Sequence, residues 1–188
     1  MKTHHKNSER LVNKVFQDVF DKYDLMNDLM SLGIHRLWKK NFIHWLNPQK
    51  NTTLIDVASG TGDIAKLYLD KVQYKGSVYC VDENKGMLDL NKKKLEKNSN
   101  VKWFCNSAEK LPFKNNYFDY YTISFGIRNV SNINNALKEA YRVLKPGGRF
   151  LCLEFSKVKN EILNKFYKTY SKRIPQIGKF IVGKSQPY

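Results

Sequence analysis

The chain predicts a Rossmann-like α/β fold, a parallel sheet with helices on its faces, and three observations carry that prediction. From Thr53 onward, short apolar runs alternate with stretches of helical periodicity, the rhythm of repeated strand–helix units. A Gly-rich turn, Ser59-Gly60-Thr61-Gly62, follows the first run, where such folds bring backbone close to a ligand. Lys145-Pro146-Gly147-Gly148 separates the last helical stretch from the last run, because proline cannot continue a helix and the glycines permit a tight turn.

Ahead of the sheet, Val12, Val15, Phe16, Val19, Phe20 and Tyr23 fall at helical spacing and predict an amphipathic lid or docking helix. Strands are expected at Thr53–Val57, Ser77–Val81, Val101–Cys105, Phe118–Phe125 and Arg149–Glu154, with helices at about Asp63–Lys71, Lys85–Glu96 and Ile133–Leu144. In the last helix Ile133, Ala136, Leu137, Ala140 and Leu144 repeat at helical spacing toward the sheet. After Glu154 one more amphipathic stretch carries Ile162, Leu163, Phe166, Tyr167 and Tyr170. The expected organisation is a helical cap or lid over residues 1–50, an α/β core over 51–156 and a C-terminal helix and tail over 157–188.

Composition bounds the function classes. A length of 188 residues suits one compact domain, and 41% hydrophobic with 13% aromatic residues is the make-up of a folded globule. A net charge of +16 would suit an anionic partner, but lysine is spread along nearly the whole chain beside abundant asparagine. Lys92-Lys93-Lys94 forms a short run and reads as a solvated helix face. Cys80, Cys105 and Cys152 each fall inside a predicted strand and read as reduced core residues. No Cys-x-x-Cys pair suggests a metal site. Met1–Arg10 is polar, and no stretch approaches the roughly 20 apolar residues that span a bilayer. A reducing, cytosol-like compartment is expected.

The turn carries the chemistry. Gly60-Thr61-Gly62-Asp63-Ile64-Ala65 fits the pattern G-x-G-x-x-G/A, and Asp82 stands about 20 positions on. Glycines there let backbone approach an adenosine-bearing ligand, and a carboxylate ending the second strand can accept ribose hydroxyls. Each such charge-assisted bond contributes about 1.5–3 kcal/mol. These features suit NAD and S-adenosylmethionine (SAM) alike. Asp56, ending the first strand just before the turn, tilts the reading toward SAM, since it can brace the turn and sit near a cationic methionyl group; the bland alternative is a strand-end turn cap. Lys145-Pro146-Gly147-Gly148-Arg149 before the fifth strand, a frequent methyltransferase turn, points the same way.

Two longer segments are more specific. Tyr23-Asp24-Leu25-Met26-Asn27-Asp28-Leu29-Met30-Ser31-Leu32-Gly33-Ile34-His35-Arg36-Leu37-Trp38 and Arg142-Val143-Leu144-Lys145-Pro146-Gly147-Gly148-Arg149-Phe150-Leu151-Cys152-Leu153-Glu154-Phe155-Ser156 resemble signatures of the ubiquinone/menaquinone biosynthesis C-methyltransferase family. Ala108-Glu109-Lys110-Leu111-Pro112-Phe113 and the stretch from Thr122 to Val130 are similar to the same family. The resemblance implies a class I SAM-dependent methyltransferase sheet under an N-terminal helical cap. Its cofactor contacts fall on Gly60, Thr61, Gly62, Asp82, Ser107, Ala108 and Ser124, besides Asp56. Where the family usually has Gly-Gly-Thr-Gly and Asn-Ala-Glu, this chain has Ser59-Gly60-Thr61-Gly62 and Ser107-Ala108-Glu109, replacements too small to block a pocket.

The implied reaction transfers the SAM methyl group to a ring carbon of a polyprenylated benzoquinol or demethylmenaquinol. It requires in-line alignment and loss of a proton from an ortho hydroxyl. Arg128 is expected to stabilise the developing phenolate and orient a water or hydroxyl, with Asn129 positioning the ring and Tyr23 and His35 as further candidates for substrate contact or proton handling. A lone histidine near a helix is more often a structural hydrogen-bonder, and Trp38 and Trp45 are expected to pack in the core or lid. A lipophilic quinol implies peripheral association with the inner face of a membrane, in the cytoplasm or a mitochondrial matrix, as a homodimer or in a complex of quinone-synthesising enzymes.

Three readings compete. A nucleic-acid methyltransferase is favoured by charge, but the fourth strand ends in Ser124-Phe125-Gly126-Ile127 instead of Asn/Asp-Pro-Pro-aromatic, and no Pro-Cys nucleophile is present. No nucleic-acid partner is expected. A NAD-dependent dehydrogenase is weakened by Asp56. A non-catalytic subunit is the third, because the family sheet has seven strands and the last two are expected to be missing from a chain that ends at Tyr188.

Overall fold

The computed structural model describes Asp28, Ser31 and residues 33–155. The predicted helix around Val12–Tyr23, Tyr23 itself and the amphipathic stretch after Glu154 lie outside the described residues. Trp38–Phe155 forms one compact unit, and the described residues before Trp38 belong to a second.

The larger unit is a five-stranded, wholly parallel sheet in the order β3-β2-β1-β4-β5, made of β1 (Thr53–Val57), β2 (Ser77–Asp82), β3 (Val101–Cys105), β4 (Phe118–Ser124) and β5 (Leu144–Leu153). Helix α1 (Ile34–Leu46) precedes the sheet, and α2 (Asp63–Lys71), α3 (Lys85–Leu95) and α4 (Ile133–Val143) connect its strands. Alternation along each strand supplies two cores, because successive side chains point to opposite faces. Leu54, Val78, Cys80 and Tyr120 pack with Phe42, Ile43 and Leu46 of α1 and with Ile64, Leu69, Leu88 and Leu95 of α2 and α3. Ile55, Val57, Tyr79, Val81, Phe118, Tyr121 and Ile123 form the opposite core with Ala136, Ala140 and Val143 of α4. Burying each large aliphatic side chain contributes about 1.5–3 kcal/mol. The reversal of strand order between β1 and β4 opens the crevice at their carboxyl ends where α/β sheets hold ligands.

Several expectations need correction. Helix α4 turns Ala136, Ala140 and Val143 to the sheet, leaving Ile133 and Leu137 45% and 42% exposed. Beneath the helix these three pack with Phe118, Tyr121 and Ile123 of β4. Leu144 belongs to β5, which starts there and not at Arg149; Phe118 pairs with Leu144 and Tyr120 with Arg149, so Lys145–Gly148 bulges out between two rungs of one ladder. Strand β4 stops at Ser124 because Phe125 takes a left-handed φ of 54°. Cys80 is buried as expected, whereas Cys105 and Cys152 are exposed, since each lies on an edge strand with a neighbour on one side only. Trp45 is 66% exposed and not core.

Signature residues outside the site hold the frame. Arg149 donates to the carbonyls of Leu46 and Trp45 at 2.8 and 3.0 Å, satisfying the last turn of α1. Arg142 donates to the carbonyls of Phe113 and Leu111 while paired with Glu139, fixing the loop that follows Ser107-Ala108-Glu109. Among the described residues, no helix is long and apolar enough to cross a membrane.

Candidate active site

The carboxyl ends of β1, β2, β3 and β4 bring the predicted residues of the sheet unit to one edge. Asp56, fourth residue of β1, is 1% exposed. The Thr122 hydroxyl of β4 donates to its Oδ1 at 2.8 Å, and its Oδ2 is buried without a hydrogen-bond partner. Burial pushes the Asp56 carboxyl up to about 7, against the Thr122 hydrogen bond and with help from the nearby Asp82 charge. A carboxyl raised above its ordinary 3.8 favours folding while protonated, and that contribution is lost as pH climbs toward about 7. Asp56→Asn is therefore expected to gain stability relative to the parent protein as pH rises from about 4 to about 8, read by urea unfolding, and a constant difference would contradict this.

The turn after β1 is strained and braced. Ala58 has φ 52° and Gly62, the N-cap of α2, φ 83°. A Cβ on Gly62 would stand 2.6 Å from Asn91 Oδ1, so glycine is required there by backbone and by space. Asn91 is a fully buried polar residue of α3; its Oδ1 accepts from Trp103 Nε1 at 3.0 Å and its Nδ2 donates to Ser59 Oγ at 3.4 Å. Asp82 Oδ2 accepts from the Gly60 N–H and Oδ1 from the Asn84 N–H, both at 2.8 Å. The residue expected to hold a ribose thus also ties the end of β2 to the turn.

Asp63, first in α2, receives Lys39 of α1 at 2.7 Å and Lys94 of α3 at 2.5 Å. Burial alone would raise its carboxyl; Lys39 and then Lys94 outweigh that and hold it well below the usual range. Three helices are stapled at the turn by one carboxylate. Lys94 is thereby more than part of a solvated face.

On the other flank, Ser107 Oγ accepts from the Glu109 N–H at 3.2 Å and Ala108 is buried. Ser124, last in β4, has a buried hydroxyl with no partner. Arg128 and Asn129 sit on a single 3₁₀ turn, Ile127–Asn129, just beyond β4, and both are exposed. Arg128 pairs with Glu154, and its guanidinium lies 5.5 Å from the centre of the Phe155 ring. Phe155 stacks on Phe125 at 4.8 Å and meets Trp38 edge-on at 5.9 Å. His35 belongs to the smaller unit, where its Nε2 pairs with Asp28 Oδ1 at 2.8 Å beside Arg36. Arg36 foremost, with His35 and against the opposing effect of burial, brings the Asp28 carboxyl down to about 2.

Sequence reasoning does not single out Thr122, Asn91, Lys39 or Glu154 as site residues, nor the joint role of Asp63 and Lys94. One signal is legible: Asn91 shares a helical stripe with Leu88 and Leu95, a polar residue among buried ones. The others act through partners far away in sequence.

A parallel sheet of this order, with an acid ending β1, a Gly-rich turn and an acid ending β2, is the frame of a class I methyltransferase. A SAM dependent methyltransferase from Aquifex aeolicus shares the fold, with a TM-score of 0.59 at 23% identity over 65% of this chain and 66% of that one. The sequence matches the ubiE/COQ5 methyltransferase family over residues 2–188. It is 56% identical over 187 residues to the ubiquinone/menaquinone biosynthesis C-methyltransferase UbiE of Rickettsia bellii, covering 96% of this chain and 75% of that protein. With the protein of the same name from Rickettsia prowazekii it shares 55% identity over 185 residues, 95% of this chain and 74% of that protein. The chain belongs to the ubiE/COQ5 methyltransferase family. SAM is the cofactor of such enzymes, and the residues present fit it: Asp56 Oδ2 and Ser124 Oγ are buried without partners at the carboxyl edge, and no atom lies within 4 Å of where a Cβ on Gly60 would stand.

Proposed function

We propose that this chain transfers a methyl group to a ring carbon of a polyprenylated quinol, the step of ubiquinone and menaquinone biosynthesis for which its relatives are named. The single observation that carries this reading is 56% identity along 96% of the chain to one such enzyme. Asp56, Gly60, Thr61, Gly62, Asp82, Ser107, Ala108 and Ser124 would hold the cofactor, which supplies a methyl group on a positively charged sulfur. The buried Asp56 carboxylate suits that positive charge, and its pKa near 7 leaves it readily ionised when a cation binds.

Arg128 and Asn129 are assigned to substrate binding, which their position just beyond β4 supports. The Arg128 guanidinium stabilises negative charge on a quinol oxygen, Asn129 orients the ring, and Trp38, Phe125 and Phe155 offer an aromatic surface for a flat substrate. His35 and Tyr23 remain assigned to substrate contact or proton handling. Peripheral membrane association follows from the substrate's solubility and is supported by the net charge of +16, each basic residue near an anionic surface adding about 1 kcal/mol.

One experiment tests these points together. The full chain is given SAM with a reduced prenylated benzoquinol or naphthoquinol, each carried in anionic or neutral vesicles. The expected result is methylation of at least one quinol, faster on anionic vesicles. SAM binding with neither quinol methylated would overturn the assignment.

A further inference from the structure

Resting on that quinol reading, we propose that Glu154 is the catalytic base that removes the hydroxyl proton of the substrate, with Arg128 pairing the oxygen left behind. A guanidinium cannot accept a proton at any working pH, so Arg128 can stabilise a phenolate but cannot create one. A carboxylate is the natural acceptor, and six stand at or just past the carboxyl ends of the strands. Asp63 is held by Lys39 and Lys94, and Glu109, past β3, accepts the N–H of Asn132 at the start of α4. Asp82 ends β2 and Glu83 follows it, and β1 separates β2 from β4. Both Asp82 oxygens also receive backbone N–H groups. Asp56 lies beneath the turn, held by Thr122, on the cofactor side. Glu154 remains, one residue past β5 and beside the end of β4, where Ser124 pairs with Leu153 and the Phe125 N–H donates to the Leu153 carbonyl at 2.7 Å.

Its two oxygens are differently placed. Oε1 takes both donors, Arg128 Nη1 and the Phe155 N–H, the latter at 2.9 Å. Oε2 is buried and has no hydrogen-bond partner. One oxygen anchors the carboxylate and leaves the other uncommitted, at the same strand ends that carry the unpaired Ser124 hydroxyl and the stacked rings of Phe125 and Phe155. Among the described residues, the charged and titratable groups that interact with it are the Arg128 guanidinium and the Cys152 thiol, which partial burial and then the Glu154 charge hold above its ordinary range.

The step balances without another reactant. The quinol O–H bond breaks, its proton passes to Glu154 Oε2, and the electron pair left on oxygen enriches the ortho ring carbon. That carbon takes the methyl group while the carbon–sulfur electron pair stays on sulfur. The proton then lost from the same carbon returns to the ring oxygen, restoring the aromatic quinol, and the one on Glu154 leaves to solvent.

The test compares Glu154→Gln and Glu154→Asp with the parent chain, using a reduced short-prenyl benzoquinol for turnover and calorimetry for SAM binding. The amide of E154Q keeps an acceptor for Arg128 and loses the basic oxygen. For this variant, turnover falls about 100-fold or more while SAM affinity stays within about threefold, and the acid limb of the kcat/KM profile disappears. E154D keeps that limb and part of the rate. The proposal is overturned if E154Q turns over within about threefold of the parent with its acid limb intact, since a merely structural acceptor would allow that. Loss of SAM binding in both variants would also overturn it. If the parent chain binds SAM and leaves the quinol untouched, the quinol reading fails first and this assignment with it.

Discussion

Gly62→Ala is expected to collapse the turn after β1 and to abolish SAM binding. Gly62 has φ 83°, and an L-residue in that region costs about 1–2 kcal/mol. The added Cβ would also stand 2.6 Å from Asn91 Oδ1 and 2.7 Å from Asn91 Cγ. Asn91 is fully buried and spans Trp103 and Ser59, so moving it leaves polar atoms unpaired at a further cost of about 1–3 kcal/mol. The combined loss, on the order of 3 kcal/mol, is a large share of a domain's stability. Gly60→Ala is the internal control: φ is 50°, but nothing lies within 4 Å of the new Cβ, so only the backbone part is lost. Urea unfolding of the two variants checks this, and equal losses would contradict the packing argument.

If Arg128 stabilises the developing oxyanion as proposed, Arg128→Ala is expected to lower methyl transfer by about 100- to 1,000-fold, the usual cost of removing such a donor, while SAM binds as before. Stability changes little, because the Arg128 side chain is 48% exposed and an exposed ion pair is worth about 0–1 kcal/mol. Arg128→Lys is expected to recover only part of the rate, since a lysine cannot present a planar fork to Glu154 and to the substrate oxygen while lying over the Phe155 ring. Turnover of the alanine variant within about threefold of the parent would remove Arg128 from the chemistry.

The sheet is legible in the sequence because each strand announces itself locally. Thr53–Val57 and Val101–Cys105 are short apolar runs bounded by polar residues, and α2 starts where the Gly-rich turn frees the backbone. The turn's ligand class is legible for the same reason, since Gly60, Gly62 and Asp82 owe their meaning to local geometry. Partners across space are not. Asp63 binds lysines 24 and 31 positions away, and Arg149 reaches carbonyls more than 100 positions away; no periodicity encodes either contact. Hydrophobicity alone misreads the face of α4, favouring Ile133 and Leu137, whereas Ala136, Ala140 and Val143 are the residues buried against the sheet. Glu154 stands in a family signature, yet only the structure separates its anchored oxygen from its free one.

The most direct measurement follows the methyl group itself. SAM carrying an isotopically labelled methyl group is incubated with the full chain, a reduced prenylated quinol and bulk RNA, and the products are separated and analysed by mass spectrometry and NMR. The label is expected on a ring carbon of the quinol and absent from the RNA. Label on a quinol oxygen, label in RNA, or none transferred despite bound SAM would contradict a C-methyltransferase acting on quinols.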